Sequence, residues 1–368
     1  MRLTEPYTIF PRKLSSGKTV YYYQYRDEFG RRSTAKSTGC TTLPQAKRFC
    51  QKLFNAGAFG DISNTNFETF TKDFFEPTSD FCKWRKISKG EAIKPNTLKR
   101  YKTSLTYQIL PFFRNLKLTA ITPDTIRQWI MWASPSWSTK TINNAQGVLN
   151  IIFESAVEKR IISTNPLIRI SYRKIEKKQR ELLTIEEIKK IYSCKWHSDT
   201  QKKMFLLAVC TGMRIGEVCA LQKDDIREGF VSVTKTLTEN FGIGSTKTGK
   251  NRIVPVPQSL LDELKTDSEW VFCKGNEPIK PHCIYNSFVR RCAKLGIDIK
   301  ARGVTLHTLR NFFISYCTAE NVPQLKVKAV VGHADENITD HYTYFNKEML
   351  REIITVQDKL YKQIVGEE

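Results

Sequence analysis

The sequence predicts a multidomain chain. It reads as a small α+β N-terminal domain of a short antiparallel sheet plus a helix, an all-α middle domain, and a mainly α C-terminal domain with a small β-sheet. Three observations carry this reading. The chain has 368 residues, more than one ordinary hydrophobic core organises. Near its start side chains alternate between two faces, whereas from Phe67 onward apolar residues recur at the spacing of a helix. Two polar breaks, "GDISNTN" and "RISYRKIEKKQRE", interrupt these patterns. The expected boundaries are residues 1–60, 66–170, a basic linker at 171–181, and 182–368.

In the first domain, "KTVYYYQYRDEF" puts Tyr21, Tyr23 and Tyr25 on one face and Tyr22, Gln24 and Arg26 on the other. "DEFG" turns the chain and "RRSTAKSTG" returns it as a strand. The segment "TTLPQAKRFCQKLF" then lines up Leu43, Ala46, Phe49, Cys50 and Leu53 as a helical stripe that covers one side of the sheet. The other side keeps Arg26, Arg31 and Arg32 among Lys, Ser and Thr. A small basic sheet of this kind fits the width of the DNA major groove, although a protein-contact module would share the pattern.

The middle domain holds "KPNTLKRYKTSLTYQILPFF", expected to start after Pro95 with Asn96 as its cap, followed by the helices "TPDTIRQWIMWA" and "STKTINNAQGVLNIIFESAVEKR". Lys94, Lys99, Arg100 and Lys140 lie among aromatics here, as a clamp on a duplex backbone requires. In the linker, Arg173, Lys174, Lys177 and Lys178 have little to bury and are expected to lie extended along phosphate.

The third domain opens on "TIEEIKKIY", a capping box from Thr184 to Glu187. "MFLLAVCTGMRIGEVCALQ" is an apolar helix broken at Thr211–Gly212, with a second helix from about Met213, and "FVSVTKTLT" and "NRIVPVP" read as strands joined through "ENFGIGSTKTGK". In "LHTLRNFFISYC" the residues Leu306, Leu309, Phe313 and Tyr316 or Cys317 form a core stripe. His307 and Arg310 share a face at its rim. The last helix carries Met349, Ile353, Val356, Leu360 and Ile364 on one side.

The strongest global signal is charge. The chain has 59 Lys and Arg against 37 Asp and Glu, a formal net charge of +22, and nucleic acid is the polyanion such an excess suits. Its ten cysteines contain no CxxC pair and several sit in apolar runs. They read as buried thiols in a reducing compartment and not as zinc ligands. "MRLTEPYTIFPRK" lacks the apolar stretch of a secretory signal and no 18-residue apolar run occurs, so a cytoplasmic setting without membrane contact is expected.

Arg214 with Glu217 one turn on, Lys247, His307, Arg310, His333 and Tyr342 together supply what attack on a phosphodiester needs. The five-coordinate transition state gathers negative charge that two guanidinium forks can bind bidentately without losing their own charge. A phenol, of ordinary pKa about 10, needs an imidazole and an arginine field to ionise near neutrality. A lysine can protonate the departing oxygen. Side chains alone then neutralise the charge, so no metal or other cofactor is expected, and no P-loop pattern indicates ATP.

The stretches "TGMRIGEVCAL", "STKTGKNRIVPVP", "HTLR", "VVGH" and "HYTYF", in that order, resemble the catalytic boxes of the tyrosine recombinases, the phage integrase family. The intervals of 23 residues from Arg310 to His333 and nine from His333 to Tyr342 are similar to the family's. The resemblance implies the tyrosine recombinase fold, with arm-binding and core-binding domains ahead of the catalytic one. It also implies DNA strand cleavage and rejoining through a covalent 3′-phosphotyrosine on Tyr342. Arg214 and Arg310 would hold the scissile phosphate, Lys247 would act as general acid, and His307 would assist proton transfer. His333 would hold the phosphate or position the nucleophile, and Glu217 would support Arg214 or His307. The implied partners are double-stranded DNA at core and arm attachment sites, three further copies of the chain in a homotetramer held through the C-terminal helix, and an accessory DNA-bending protein with a directionality factor. Tyr344 rivals Tyr342, while Lys250 and Lys235 rival Lys247; His197, His282 and His341 read as surface groups. A resolvase or invertase, a type IB topoisomerase, and an inactive DNA-binding regulator of the same fold are the alternatives.

Overall fold

The structure, a computed structural model, describes residues 7–25, 32–55, 65–176, 180–246, 251–332 and 347–366. The chain divides into two compact units, Met1–Glu176 and Lys177–Glu368.

The first unit holds two separate apolar clusters. Around the smaller one, β1 (Tyr7–Lys13), β2 (Thr19–Tyr25) and β3 (Lys36–Ser37) form an antiparallel sheet in the order β1-β2-β3. Strand β1 went unforeseen because Pro11 interrupts its sequence. It forms the edge of the sheet, where a proline is tolerated. Helix α1 (Leu43–Asn55) buries Ala46 and Cys50 toward Tyr7 and Tyr23, while Leu43, expected in the covered stripe, is exposed at the first residue of the helix. The opposite face stacks Phe10 on Tyr22 and sets the Arg12 guanidinium 5.4 Å from the Tyr22 ring centre.

The larger cluster is helical: α2 (Phe67–Thr71), α3 (Asp80–Lys89), α4 (Pro95–Ser104), α5 (Leu110–Phe113), α6 (Pro123–Ala133) and α7 (Thr139–Glu158). They close over Phe67, Phe113, Trp129 and Phe153. Helix α4 begins on Pro95 itself, and the predicted cap Asn96 is already inside it. The first helical position suits proline, whose missing N–H would have had no partner there. Between α4 and α5, Leu105–Ile109 widens into a π-turn ahead of Pro111. A proline ring clashes with the carbonyl four residues back, and widening relieves the clash. The Gln108 carbonyl in this turn accepts from Trp129 Nε1 at 3.0 Å.

The second unit runs α8 (Ile185–Ser193), α9 (Asp199–Thr211), α10 (Ile215–Cys219), β4 (Ile226–Arg227), β5 (Phe230–Val233), β6 (Lys235–Thr238), β7 (Gly242–Ser245), β8 (Arg252–Pro255), α11 (Gln258–Glu263), β9 (Cys273–Lys274), β10 (Glu277–Pro278), α12 (Pro281–Lys294), α13 (Leu306–Ala319), α14 (Gln324–Val331), α15 (Lys347–Leu350) and α16 (Glu352–Val365). Helix α9, buried from Met204 to Thr211, is the axis on which α10, α12, α13 and α16 pack. The segment expected as one strand, "FVSVTKTLT", is two: β5 joins β4 and β8, whereas β6 pairs only with β7 among the described residues. Helix α10 starts at Ile215, because Gly212 is left-handed and Arg214 extended, which takes both out of helical geometry.

The C-terminal helix packs within its own unit, which is the alternative its apolar stripe allowed beside a subunit contact. In α16, Ile353, Gln357, Leu360, Tyr361 and Ile364 are buried against α8, α9 and α11 of its own unit, so its apolar side is already covered. All ten cysteines are free and six of them are buried. No helix among the described residues is long and apolar enough to cross a membrane.

Two contacts make testable demands. A Cβ on Gly216 would lie 2.6 Å from Thr236 Oγ1 and 2.7 Å from the Leu237 carbonyl oxygen, so Gly216→Ala must push α10 off β6. The expected loss is about 1–3 kcal/mol, the usual cost of overpacking, and thermal unfolding should show a lowered midpoint. Separately, the Arg302 hydrogen bond, aided by the Thr184 backbone and the arginine's charge, holds the Glu187 carboxyl below its ordinary range despite partial burial. A depressed folded pKa gives stability that is present above the unfolded value and lost as pH falls through the folded one. Glu187→Gln should therefore flatten the acid limb of the stability profile below about pH 4.3, while leaving its slope near neutrality unchanged.

Candidate active site

The site is built where α9 ends. Gly212 carries φ +64°, and a Cβ there would stand 2.6 Å from a Phe313 ring carbon and 3.0 Å from Val331. Only glycine lets the chain pass so close to α13 and α14. The Gly212 carbonyl then accepts a 3.1 Å hydrogen bond from Arg310 Nη1.

Two residues on, the Arg214 N–H donates to Glu217 Oε2 at 2.8 Å and its Nη1 donates to Oε1 at 3.0 Å. Arg214 Nη2 reaches the Gly332 carbonyl at 3.2 Å. Glu217 thus holds Arg214 through both its backbone N–H and its guanidinium. Its side chain is 1% exposed, and burial pushes its pKa up. Bonds and charge from Arg252, with those from Arg214, outweigh that and hold it below the ordinary range, so it is ionised.

Arg310 departs from the expectation of a rim position. It is 1% exposed, packed with Leu309 and Phe313, whereas His307 on the same helix is exposed. Three residues of helical rise, about 4.5 Å, carry Arg310 a turn deeper than His307. Burial, and after it the charges of Arg214 and Arg252, push its pKa down to about 9, with Glu217 opposing. It remains charged at neutral pH. Its Nε and Nη2 are buried without a hydrogen-bond partner among the described residues. Buried donors of this kind are rare and call for a ligand or a functional reason.

Lys247, His333 and Tyr342 lie outside the described residues, as do the rivals Lys250 and Tyr344 and the surface group His341. Lys235 is committed elsewhere: its Nζ pairs with Asp225 at 2.9 Å and also bonds Gln222. His282 is exposed, with Nδ1 2.6 Å from Glu239 and Nε2 3.3 Å from Cys283 Sγ, and His197 is exposed. Among the described residues no group of three or more His, Cys, Asp or Glu could hold a metal.

The sequence reading missed Arg252. This residue opens β8, with a side chain 9% exposed, and grips Glu217 with two parallel bonds, Nη1 to Oε1 at 3.0 Å and Nη2 to Oε2 at 2.6 Å. The available signal was a charged residue heading the apolar run "RIVPVP", since a buried strand start needs a partner for its charge.

In the first unit, Arg32, Lys94, Lys99, Arg100, Lys140 and Lys174 are exposed, while Arg26, Arg31, Lys177 and Lys178 lie outside the described residues. Arg173 corrects the picture of a free linker. Its backbone exchanges hydrogen bonds with the Asn143 side chain at 2.8 and 3.2 Å, and its Nη1 reaches Ser134 Oγ at 3.1 Å. The Ile170 carbonyl is tied to Gln146 in the same way, so this stretch lies along α7 because amide side chains there satisfy its backbone. Beside it a cavity of about 620 Å³ is lined by Arg100, Thr103, Gln108, Asn143, Asn144 and Tyr172, among others.

Residues 180–349 match the phage integrase family, and residues 81–134 match the phage integrase N-terminal SAM-like domain. The tyrosine recombinase XerA of Pyrococcus furiosus is 26% identical over 293 residues, covering 75% of this chain and 93% of its own. The prophage ps2 probable integrase of Lactococcus lactis is 24% identical over 385 residues, covering 94% of this chain and 98% of its own. Among solved structures, a lambda integrase dimer bound to a COC′ core site aligns with a TM-score of 0.56 at 20% identity, covering 94% of this chain and 98% of its own. The Tn1549 transposon integrase in complex with transposon right end DNA aligns with 0.57 at 18%, covering 75% and 97%. At such identities the structures speak to the fold, which is the multidomain tyrosine recombinase fold with small antiparallel sheets. With catalytic-domain and SAM-like matches in the family's order, the chain belongs to the phage integrase family of tyrosine recombinases.

Proposed function

We propose that the chain is a site-specific DNA recombinase, the integrase of a prophage or integrative element, which cleaves and rejoins strands through a 3′-phosphotyrosine on Tyr342. The observation that carries this reading is the pair Arg214 and Arg310, one turned toward Gly332 and the other buried with two donor nitrogens unpartnered among the described residues. A non-bridging phosphate oxygen is the acceptor those donors suit. In the proposed step the Tyr342 oxygen attacks phosphorus, and the bond to the 5′ oxygen breaks as Lys247 protonates it. Arg214 and Arg310 carry the charge that accumulates on the non-bridging oxygens. His307, at the exposed start of α13, assists proton transfer, and His333, next to Gly332, positions the phosphate or the nucleophile. Because one ester replaces another, the reaction needs no ATP.

The domain assignment belongs to the same proposal. Residues 1–60 are read as an arm-type DNA-binding domain, supported by the sheet whose open face carries Arg12 and Tyr22. Residues 66–170 are read as the core-binding domain, whose amide- and hydroxyl-lined cavity suits base edges while Lys94, Lys99, Arg100 and Lys140 suit phosphate. Residues 171–181 form the basic linker and 182–368 the catalytic domain. A lambda integrase tetramer bound to a Holliday junction, 19% identical with a TM-score of 0.56, covers 94% of this chain. A homotetramer on two duplexes is the assembly proposed here, with a DNA-bending protein and a directionality factor as accessory partners in the cytoplasm. Because α16 already packs on its own unit, its use as the bridge between subunits would require undocking it.

Incubation with nicked duplexes carrying the chain's attachment site should trap a covalent protein–DNA adduct. Tyr342→Phe should abolish the adduct and leave duplex binding intact. An adduct that persists in Tyr342→Phe and disappears in Tyr344→Phe would move the nucleophile. No adduct with the unaltered chain would favour an inactive DNA-binding regulator. Removal of residues 1–60 should abolish binding to arm-type DNA and spare cleavage of core sites, and equal loss of both would overturn the arm assignment.

A further inference from the structure

Glu217 presents an electrostatic difficulty that the two-arginine site does not resolve. A carboxylate 3.0 Å from Arg214 Nη1 neutralises the very guanidinium that must attract phosphate. Arg252 meets the same carboxylate through both of its Nη atoms, in the fork geometry that gives the strongest charge-assisted pairing. Its Nε donates to the Val330 carbonyl at 2.7 Å. The Gly332 backbone lies so close that a Cβ there would be 2.9 Å from Arg252 Cδ. Arg252 therefore touches the carboxylate that orients Arg214 and the residue just before His333, and β8 carries it five residues after Lys247 in the chain.

We propose that Arg252 is a positioning residue of the strand-cleavage site: by holding the Glu217 carboxylate it keeps the charge of Arg214 available to the scissile phosphate and fixes the Gly332 turn. Arg214, Arg252 and Arg310 around one carboxylate leave two positive charges unspent. That matches the two negative charges which a phosphodiester under attack by a phenolate gathers on its non-bridging oxygens. Arg252 itself is too enclosed by Glu217 and Val330 to be the phosphate's direct ligand.

This inference rests on the recombinase reading, and its test separates the two. Single-turnover adduct formation is followed on a nicked core-site duplex, once with an ordinary scissile phosphodiester and once with a methylphosphonate, which carries no charge at that position. The unaltered chain must give the adduct on the phosphodiester; if it does not, the recombinase reading fails first. With the adduct present, Arg252→Met should slow it about 100-fold, the scale of losing one preorganised charge-stabilising donor. The loss should be much smaller on the methylphosphonate, where less charge develops. Arg252→Lys, which restores charge without the fork, should recover part of the rate. In a Glu217→Gln background, with no carboxylate charge left to hold, the further change Arg252→Met should cost less than about threefold, because coupled sites are non-additive. Equal losses on both substrates, full additivity with Glu217→Gln, or no loss in Arg252→Met would each overturn the role. If Arg252→Met does not fold, Arg252→Lys on the two substrates decides alone: a deficit confined to the phosphodiester supports the role, and an equal deficit or none overturns it.

Discussion

Glu217 sits where three guanidinium groups would otherwise repel one another. Its carboxylate joins α10 to β8 through Arg252 and to the α9–α10 loop through Arg214. Taking such charges out of water costs several kcal/mol per ion, and only fork geometry with every lone pair used offsets that. The surrounding backbone is shaped to permit it. Gly212 lets the loop press onto Phe313, Gly216 lets α10 lie against β6, and Gly332 lets the end of α14 lie on Arg252. Each glycine stands where a Cβ would collide, so the charge cluster and the close packing depend on each other.

Among the described residues the cluster is not fully satisfied. Arg310 is as buried as the core residues around it, yet two of its donors find nothing among the described residues. A protein selected for stability alone would place an apolar side chain there, since replacing buried ions by packed hydrocarbon is often neutral or favourable. Holding an arginine in that position, with its pKa pushed down to about 9 by burial and by its neighbours, stores electrostatic free energy that an arriving anion releases. Preorganised donors aimed at developing charge act in this way because they need no reorganisation at the moment of reaction. The packing of its own helix, α13, on the buried helix α9 fixes where Arg310 stands.

What the sequence made legible was what depends on local order. The capping box Thr184–Glu187, the break at Gly212 and the stripe Leu306, Leu309, Phe313 and Cys317 follow from neighbours within one or two turns, and all are present. The pairing of Arg214 with Glu217, for which the sequence left His307 open as the other partner, was equally local. Features that depend on distant chain were not visible. Arg252 meets Glu217 across 35 positions, and nothing near either residue announces the partner. Strand β1 is concealed by Pro11, whose cost vanishes only once the strand lies at a sheet edge. The depth of Arg310 follows from how α13 is seated on α9, which periodicity cannot reveal. The fate of α16 was likewise a tertiary matter, because an amphipathic stripe says that something covers it and not what does.

The division of labour between the two units follows from the same physics. The first unit spreads its positive charge over exposed side chains, where each is solvated; under the proposed function such charges would act through counterion release, the sequence-independent part of DNA affinity. The second unit, beside its own exposed charges, gathers Arg214, Arg252 and Arg310 around the buried Glu217, where a lower dielectric strengthens each interaction. Surface charge is tolerant of position, and Lys serves there as well as Arg. A buried fork is not tolerant: Arg214, Arg252 and Arg310 are all arginine, the side chain that stays charged when desolvated and offers planar paired donors. An ammonium group in place of any of the three would keep the charge and lose the planar paired donors, so this geometry constrains residue type here far more than the exposed surface does.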